Sequence, residues 1–167
     1  GAIGISLAHS KNGTRATSDG GNGGTSTTST TDWVITLDGS NVVDGLSGGV
    51  MHSVDASSVA GTNDGTVFGG WVNYSAGPVS VGYRKSDNSA GAGTEKNVEA
   101  YAVAFNVNDN MSVSLATQDI EFDVPSGTNT TETIDAINAS YTMGAASVRA
   151  TVSEASDDAG VAGSDDE

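Results

Sequence analysis

The feature that most constrains this chain is alternation. Apolar and small or polar residues change places at every position through segment after segment, and no sustained period of 3.6 residues competes. Successive side chains of a strand face opposite sides of a sheet, so alternation means strands with two unlike faces. In Val79–Ser80–Val81–Gly82–Tyr83–Arg84 the bulky set is Val79, Val81 and Tyr83. In Ala100–Tyr101–Ala102–Val103–Ala104–Phe105 the set opposite Tyr101, Val103 and Phe105 is all alanine. Met111, Val113 and Leu115 alternate with Ser112, Ser114 and Ala116, while Asn138 and Ser140, then Arg149 and Thr151, form the polar sets further on. The pattern predicts nine strands, at 2–9, 32–39, 45–54, 66–75, 78–86, 96–106, 111–122, 133–142 and 145–154. Most come close to the roughly 9–11 residues that a tilted strand needs to cross a bilayer.

The links between these strands sort by length. GSNVVDG after Asp38, AGP after Ser75, VNDN after Asn106 and MGA after Thr142 are short. Ser10–Thr31, Asp55–Gly65, Asp87–Glu95 and Asp123–Glu132 are longer and polar. Strict alternation of short and long links is the mark of an up-and-down barrel in an outer membrane, with tight turns at one rim and long loops at the other. A soluble meander has no reason to sort its loops in this way. Alternation alone also fits a soluble β-sandwich with its apolar face inward.

The aromatic residues favour the membrane. Tyr74, Phe105 and Tyr141 each precede a short turn on the apolar face, and Tyr83 lies on the same face near a long loop. Trp33 and Phe68 follow long loops, while Trp71 and Tyr101 lie nearer mid-strand. Rings gathered at both strand ends make two girdles at the membrane interfaces. Sandwich-core rings would instead lie mid-strand.

Composition narrows the function. The 167 residues carry 21 acids against six bases, a formal charge of −15. Such a surface repels nucleic acid, which is bound through clustered Lys and Arg. The chain has no Cys, so a disulfide framework and a thiol nucleophile are both excluded. No segment approaches the roughly 18 apolar residues of a transmembrane helix. His9 and His52 are the only histidines, and no G-x-S-x-G or H-x-x-x-H pattern accompanies them, so the chain does not read as an enzyme. Acids cluster at Asp55, Asp64, Asp87, Asp119, Glu121, Asp123, Asp157, Asp158, Asp165, Asp166 and Glu167, in what the strand assignment makes loops or their edges. Carboxylate oxygens suit Ca²⁺, but no EF-hand loop is present and GGNGG at 20–24 lacks the Asp of a calcium β-roll. A solvated surface is the favoured reading, with no cofactor expected and loop Ca²⁺ as the lesser one.

At VSVGYRKSDNSA, AYAVAFNVNDNMSVSLATQD and INASYTMGAASVRATVSEASD the chain resembles the general bacterial porin family, of the alphaproteobacterial type. The resemblance is good over 66–155 and looser over 2–55. It implies an all-β, transmembrane, antiparallel barrel of about 16 strands in the bacterial outer membrane. It also implies a homotrimer that contacts outer-membrane lipid and passes small hydrophilic solutes and ions. Arg84, Arg149, Ser80, Ser112, Ser114 and Asn138 would then line the lumen, and Tyr74, Tyr83, Phe105 and Tyr141 would form the girdles. The inward Ala, Ser and Gly are too small to fill a narrow barrel.

Two family features find no match: a terminal aromatic and an acidic constriction loop. Nine strands is also an odd count, so residues 1–167 are expected to be a single β-barrel domain, an interior or C-terminal portion of a longer porin. The competing expectation is an acidic, soluble, β-rich surface, adhesive or structural protein.

Overall fold

A computed structural model describes residues 2–10, 30–55, 64–89, 93–157, 160–161 and 163. The alternating segments form β1 (Ile3–Ser10), β2 (Thr30–Asp38), β3 (Leu46–Asp55), β4 (Gly65–Ala76), β5 (Val79–Ser89), β6 (Glu95–Asn108), β7 (Met111–Asp123), β8 (Thr130–Met143) and β9 (Ala146–Ser156). They make one nine-stranded sheet in the order β1 to β9, every neighbour antiparallel. All nine expected strands are present, and no α-helix occurs among the described residues. The limits differ from the sequence reading by up to three residues, as at Thr130 and Ser89. The strands continue past their apolar stretches because backbone pairing does not require apolar side chains.

The short links are tight for identifiable reasons. Gly77 and Gly144 take φ of 56° and 59° in the β4–β5 and β8–β9 turns, a left-handed conformation that glycine adopts without a Cβ penalty. Between β6 and β7 the Asn110 amide donates to Asn108 Oδ1 at 2.9 Å, an Asx turn that takes the place of glycine. After β2 a single 3₁₀ turn, Gly39–Asn41, is capped by Asp38, whose carboxylate accepts from the Ser40 amide at 3.1 Å.

This sheet has no interior. Among the described residues no hydrophobic side chain is buried, and Leu7, Leu115, Ile137 and Val152 are 76, 53, 59 and 72% exposed. A sandwich would have covered these side chains with a second sheet. The small side chains of the opposite face, such as Ser112, Ser114, Ala116 and Gln118, are half-buried. Large side chains spread apart while small ones are crowded, which is the pattern of a sheet curved toward its small-residue face.

Gly45 stands in a different position from the turn glycines. Its φ is 79°, and a Cβ there would run into the carbonyl oxygen of Ser75, whose own amide donates to Gly45 O at 3.0 Å. Nothing lies within 4 Å of a Cβ at Gly77. Gly77→Ala is therefore expected to cost about 1 kcal/mol from the left-handed conformation alone, and Gly45→Ala more than about 2 kcal/mol. The temperature at which the folded protein in detergent loses its compact electrophoretic form should fall clearly further for Gly45→Ala. Equal shifts would contradict the contact with Ser75.

Candidate functional site

The register sorts every strand residue onto one of two faces, because residues paired across an antiparallel sheet share a face. On the apolar face β1 carries Ile3, Ile5 and Leu7, and β2 carries Leu37, Ile35 and Trp33. The same face holds Val72 and Tyr74, Val81 and Tyr83, Val103 and Tyr101, Leu115, Ile137 and Val152. With Leu46 and Val50 of β3 they form a continuous band running across all nine strands.

The band runs obliquely to the paired rows. Its centre on β2 is Ile35, and the row through Ile35 passes Val50, Gly70, Lys85, Glu99, Asp119 and Thr133 to reach Ser156 on β9. The band centre on β9 is Ala150, six residues nearer the short turn. Six residues of about 3.3 Å rise, set against seven strand spacings of about 4.8 Å, make an angle of about 30°. Strands crossing a bilayer tilt by about this much, somewhat more in most barrels.

The aromatic residues follow the oblique line. Tyr74, Phe105 and Tyr141 lie on the apolar face toward the short turns, and each steps one paired row lower than the one before. Toward the long loops Trp33 stacks on His52 at 5.6 Å between ring centres, and His52 meets Phe68 at 6.4 Å. Tyr83 faces Tyr101 directly, at 5.0 Å, and both hydroxyls donate to Glu99 Oε1, at 2.8 and 2.6 Å. Tyr101, which the sequence places nearer mid-strand, thus belongs to the tier of Tyr83, because the tilt lowers the band on β6. Trp71 lies on the other face, opposite Arg84 and outside the band altogether.

Asp55, Asp87 and Asp123, which the predicted strands leave out, are strand residues. Asp87, Asp119, Glu121 and Asp123 continue their strands beyond the band, on the apolar side. With Glu95, Glu99, Asp135 and Glu154 they place eight carboxylates there against the single base Lys85. Asp55 ends β3 on the opposite face. Asp158, Asp165, Asp166, Glu167 and the GGNGG segment lie outside the described residues. Among the described residues no group of three His, Cys, Asp or Glu is arranged to hold a metal. His9 bonds Thr31 through its Nδ1 at 2.9 Å, and His52 is held in its aromatic stack.

The small-residue face carries all six residues expected from the sequence to share one wall. Ser80, Ala104, Ser114, Asn138 and Thr151 form one paired row across β5 to β9. Ser112, Ser140 and Arg149 lie in the adjacent row toward the short turns. Hydroxyls and amides bond across strands here, Ser112 to Ser140 at 2.7 Å and Thr151 to Asn138 at 2.7 Å. Arg84 lies at the level of Tyr83 and Lys85, at the loop side of the band, and Arg149 lies near Val148 on the turn side. The two arginines are therefore on one face but at different heights.

Above the band the faces exchange character. Val98, Ile120, Phe122 and Ile134 fall on the small-residue face near the long loops. Lys96 Nζ lies 4.8 Å from the Phe122 ring centre. Gly160 returns over this patch, where a Cβ would touch Phe122, and its carbonyl accepts from Thr130 Oγ1 at 2.7 Å. Residue parity signals this exchange in the sequence: Ile120 and Phe122 are even-numbered where Met111, Val113 and Leu115 are odd.

The profile of the Gram-negative porin family matches residues 3–167. No curated protein matches the chain. A tilted apolar band without a core, aromatic tiers at its edges and a match over nearly the whole length agree, and the chain belongs to the Gram-negative porin family, whose place is the bacterial outer membrane.

Proposed function

We propose that this chain forms the wall of a water-filled pore through which small hydrophilic solutes and ions diffuse passively, with no chemical step. The observation that carries this reading is the sorting of side chains by volume. Large apolar groups face away from the concave side, where from β5 to β8 only Ser, Ala, Gly and a few longer polar groups project along the band, with Val34, Met51 and Trp71 as the large apolar exceptions on β2 to β4. Side chains so small leave space that water must occupy. In this reading Ser80, Ser112, Ser114, Asn138, Arg84 and Arg149 line the lumen. The apolar face meets outer-membrane lipid, with Tyr74, Tyr83, Phe105 and Tyr141 at the two interfaces.

The described sheet is open, since β1 and β9 do not pair with each other. Hydrocarbon does not tolerate an unpaired strand edge. The reading therefore includes closure by further strands, with residues 1–167 as part of a longer barrel of about 16 strands. It also includes assembly as a homotrimer. On an unheated detergent gel the full-length protein should run as a trimer that heat converts to monomer; a monomer under all mild conditions would remove the trimer from the reading.

Charge sets the ion preference. Among the described strand residues, the small-residue face holds Asp32, Asp38, Asp55 and Glu132 against Arg84, Lys96 and Arg149. The wall is therefore nearly balanced, and most of the −15 of the whole chain acts from outside it, toward the rim. A rim of one sign concentrates counter-ions, and the effect fades where charges lie more than about 8 Å apart at physiological ionic strength. The reversal potential across a salt gradient should show modest cation preference at low salt that declines at high salt. Anion preference at low salt would overturn the rim argument.

The two faces also predict opposite mutational outcomes at adjacent positions. Ser114→Trp should lower single-channel conductance by narrowing the lumen, while Leu115→Trp should leave it unchanged. The reverse pattern would exchange the faces and remove the pore reading. A soluble surface protein would give no conductance with either.

A further inference from the structure

The small-residue face is not uniform at the height of Arg84. One paired row there reads Gly49, Trp71, Arg84, Ala100 and Gln118 across β3 to β7. A large ring and a guanidinium thus stand side by side, between a glycine on β3 and an alanine on β6. Directly opposed residues lie about 5 Å apart at Cβ, so both can touch one small molecule.

The ring is seated. A Cβ at Gly49 would run into Cη2 and Cζ2 of Trp71, so the indole extends over the bare backbone of β3. Gly49 is what permits this, and it holds the ring against the wall where a larger residue would lift it off. Beside the ring the wall recedes into a recess of about 720 Å³. Its floor includes Ala100, Ala102 and Ala116, and Trp71, Arg84 and Gln118 stand around it. That volume lies within the roughly 300–1,000 Å³ of small-molecule sites.

The chemistry selects a class of ligand. An indole face and alanine methyls favour an apolar or aromatic ring, by burial and by stacking. A guanidinium with five donors favours a carboxylate. Among the charged residues of this face none but Arg84 borders the recess. We propose that Trp71 and Arg84 form a transient binding station on the pore wall for small monocarboxylates that carry an apolar ring. The station rests on the reading of the small-residue face as the lumen. It gives the pore a preference that size and net charge alone do not supply: the carboxylate is held by Arg84 while the ring lies against Trp71 and the alanine floor.

Benzoate is the probe, with acetate as charge without ring and benzyl alcohol as ring without charge. In planar bilayers at low salt, benzoate should interrupt the current through the full-length porin reversibly and saturably, and neither control should do so at equal concentration. Trp71→Ala and Arg84→Gln should each weaken the interruption at least about tenfold, measured as the fraction of each variant's own open-channel current. Gly49→Ala, which displaces the ring without removing it, should weaken it as well. Conductance that persists with no response to benzoate, or a response that both variants retain, overturns the station and leaves the pore standing. Block by glucose in place of benzoate overturns the ligand class. A second readout separates the two readings: benzoate should change the tryptophan fluorescence of the detergent-solubilised protein, and Trp71→Phe should remove that change. Absence of the change overturns the station whatever the conductance; absence of conductance in the presence of the change overturns the pore.

Discussion

Everything in this structure depends on backbone pairing between neighbouring strands. No hydrophobic core exists among the described residues to hold the sheet together. Each interior strand instead satisfies its amides and carbonyls on both sides, from β2 to β8. In hydrocarbon an unpaired backbone group costs several kcal/mol, so a ladder of this kind is strongly favoured there. The ladder also frees the side chains from any duty to pack against one another. One face can then carry an apolar band with nothing packed over it, and the other can carry mostly small side chains along that band.

The tilt decides what each side chain meets. Because the band crosses the paired rows at about 30°, position along a strand does not by itself give height in the membrane. Tyr83 and Tyr101 face each other, although one is the fifth residue of its strand and the other the seventh. The same slope carries Tyr74, Phe105 and Tyr141 down one row at a time. Where the band ends, the eight carboxylates from Asp87 to Glu154 begin on the same face. Water replaces lipid at that level, and an ionised group then keeps its hydration. The opposite face turns apolar at Ile120 and Phe122, and the returning chain at Gly160 lies against Phe122 and Thr130.

Much of this was legible in the residues themselves. Alternation located all nine strands, and the AGP, VNDN and MGA links announced which ends are tight. Parity assigned Ser80, Ser112, Ser114, Asn138, Arg84 and Arg149 to one face, and the register agrees at every one. What misled was ending strands where polar residues begin. Asp87 and Asp123 stand beyond the apolar band, yet their backbones remain in the ladder.

Sequence by itself determined the class of fold, the faces and the order of the strands. Those follow from a side-chain period of two and from turn chemistry, both local properties of the chain. Only the tertiary structure decided height and neighbourhood. Trp71 and Arg84 are 13 positions apart, and Gly49 is 22 positions before Trp71, yet the three stand in one row. Register between strands sets that meeting, and register depends on the sum of many pairings along the ladder rather than on any one segment. The tilt, the tiers of rings and the recess beside Trp71 are consequences of it.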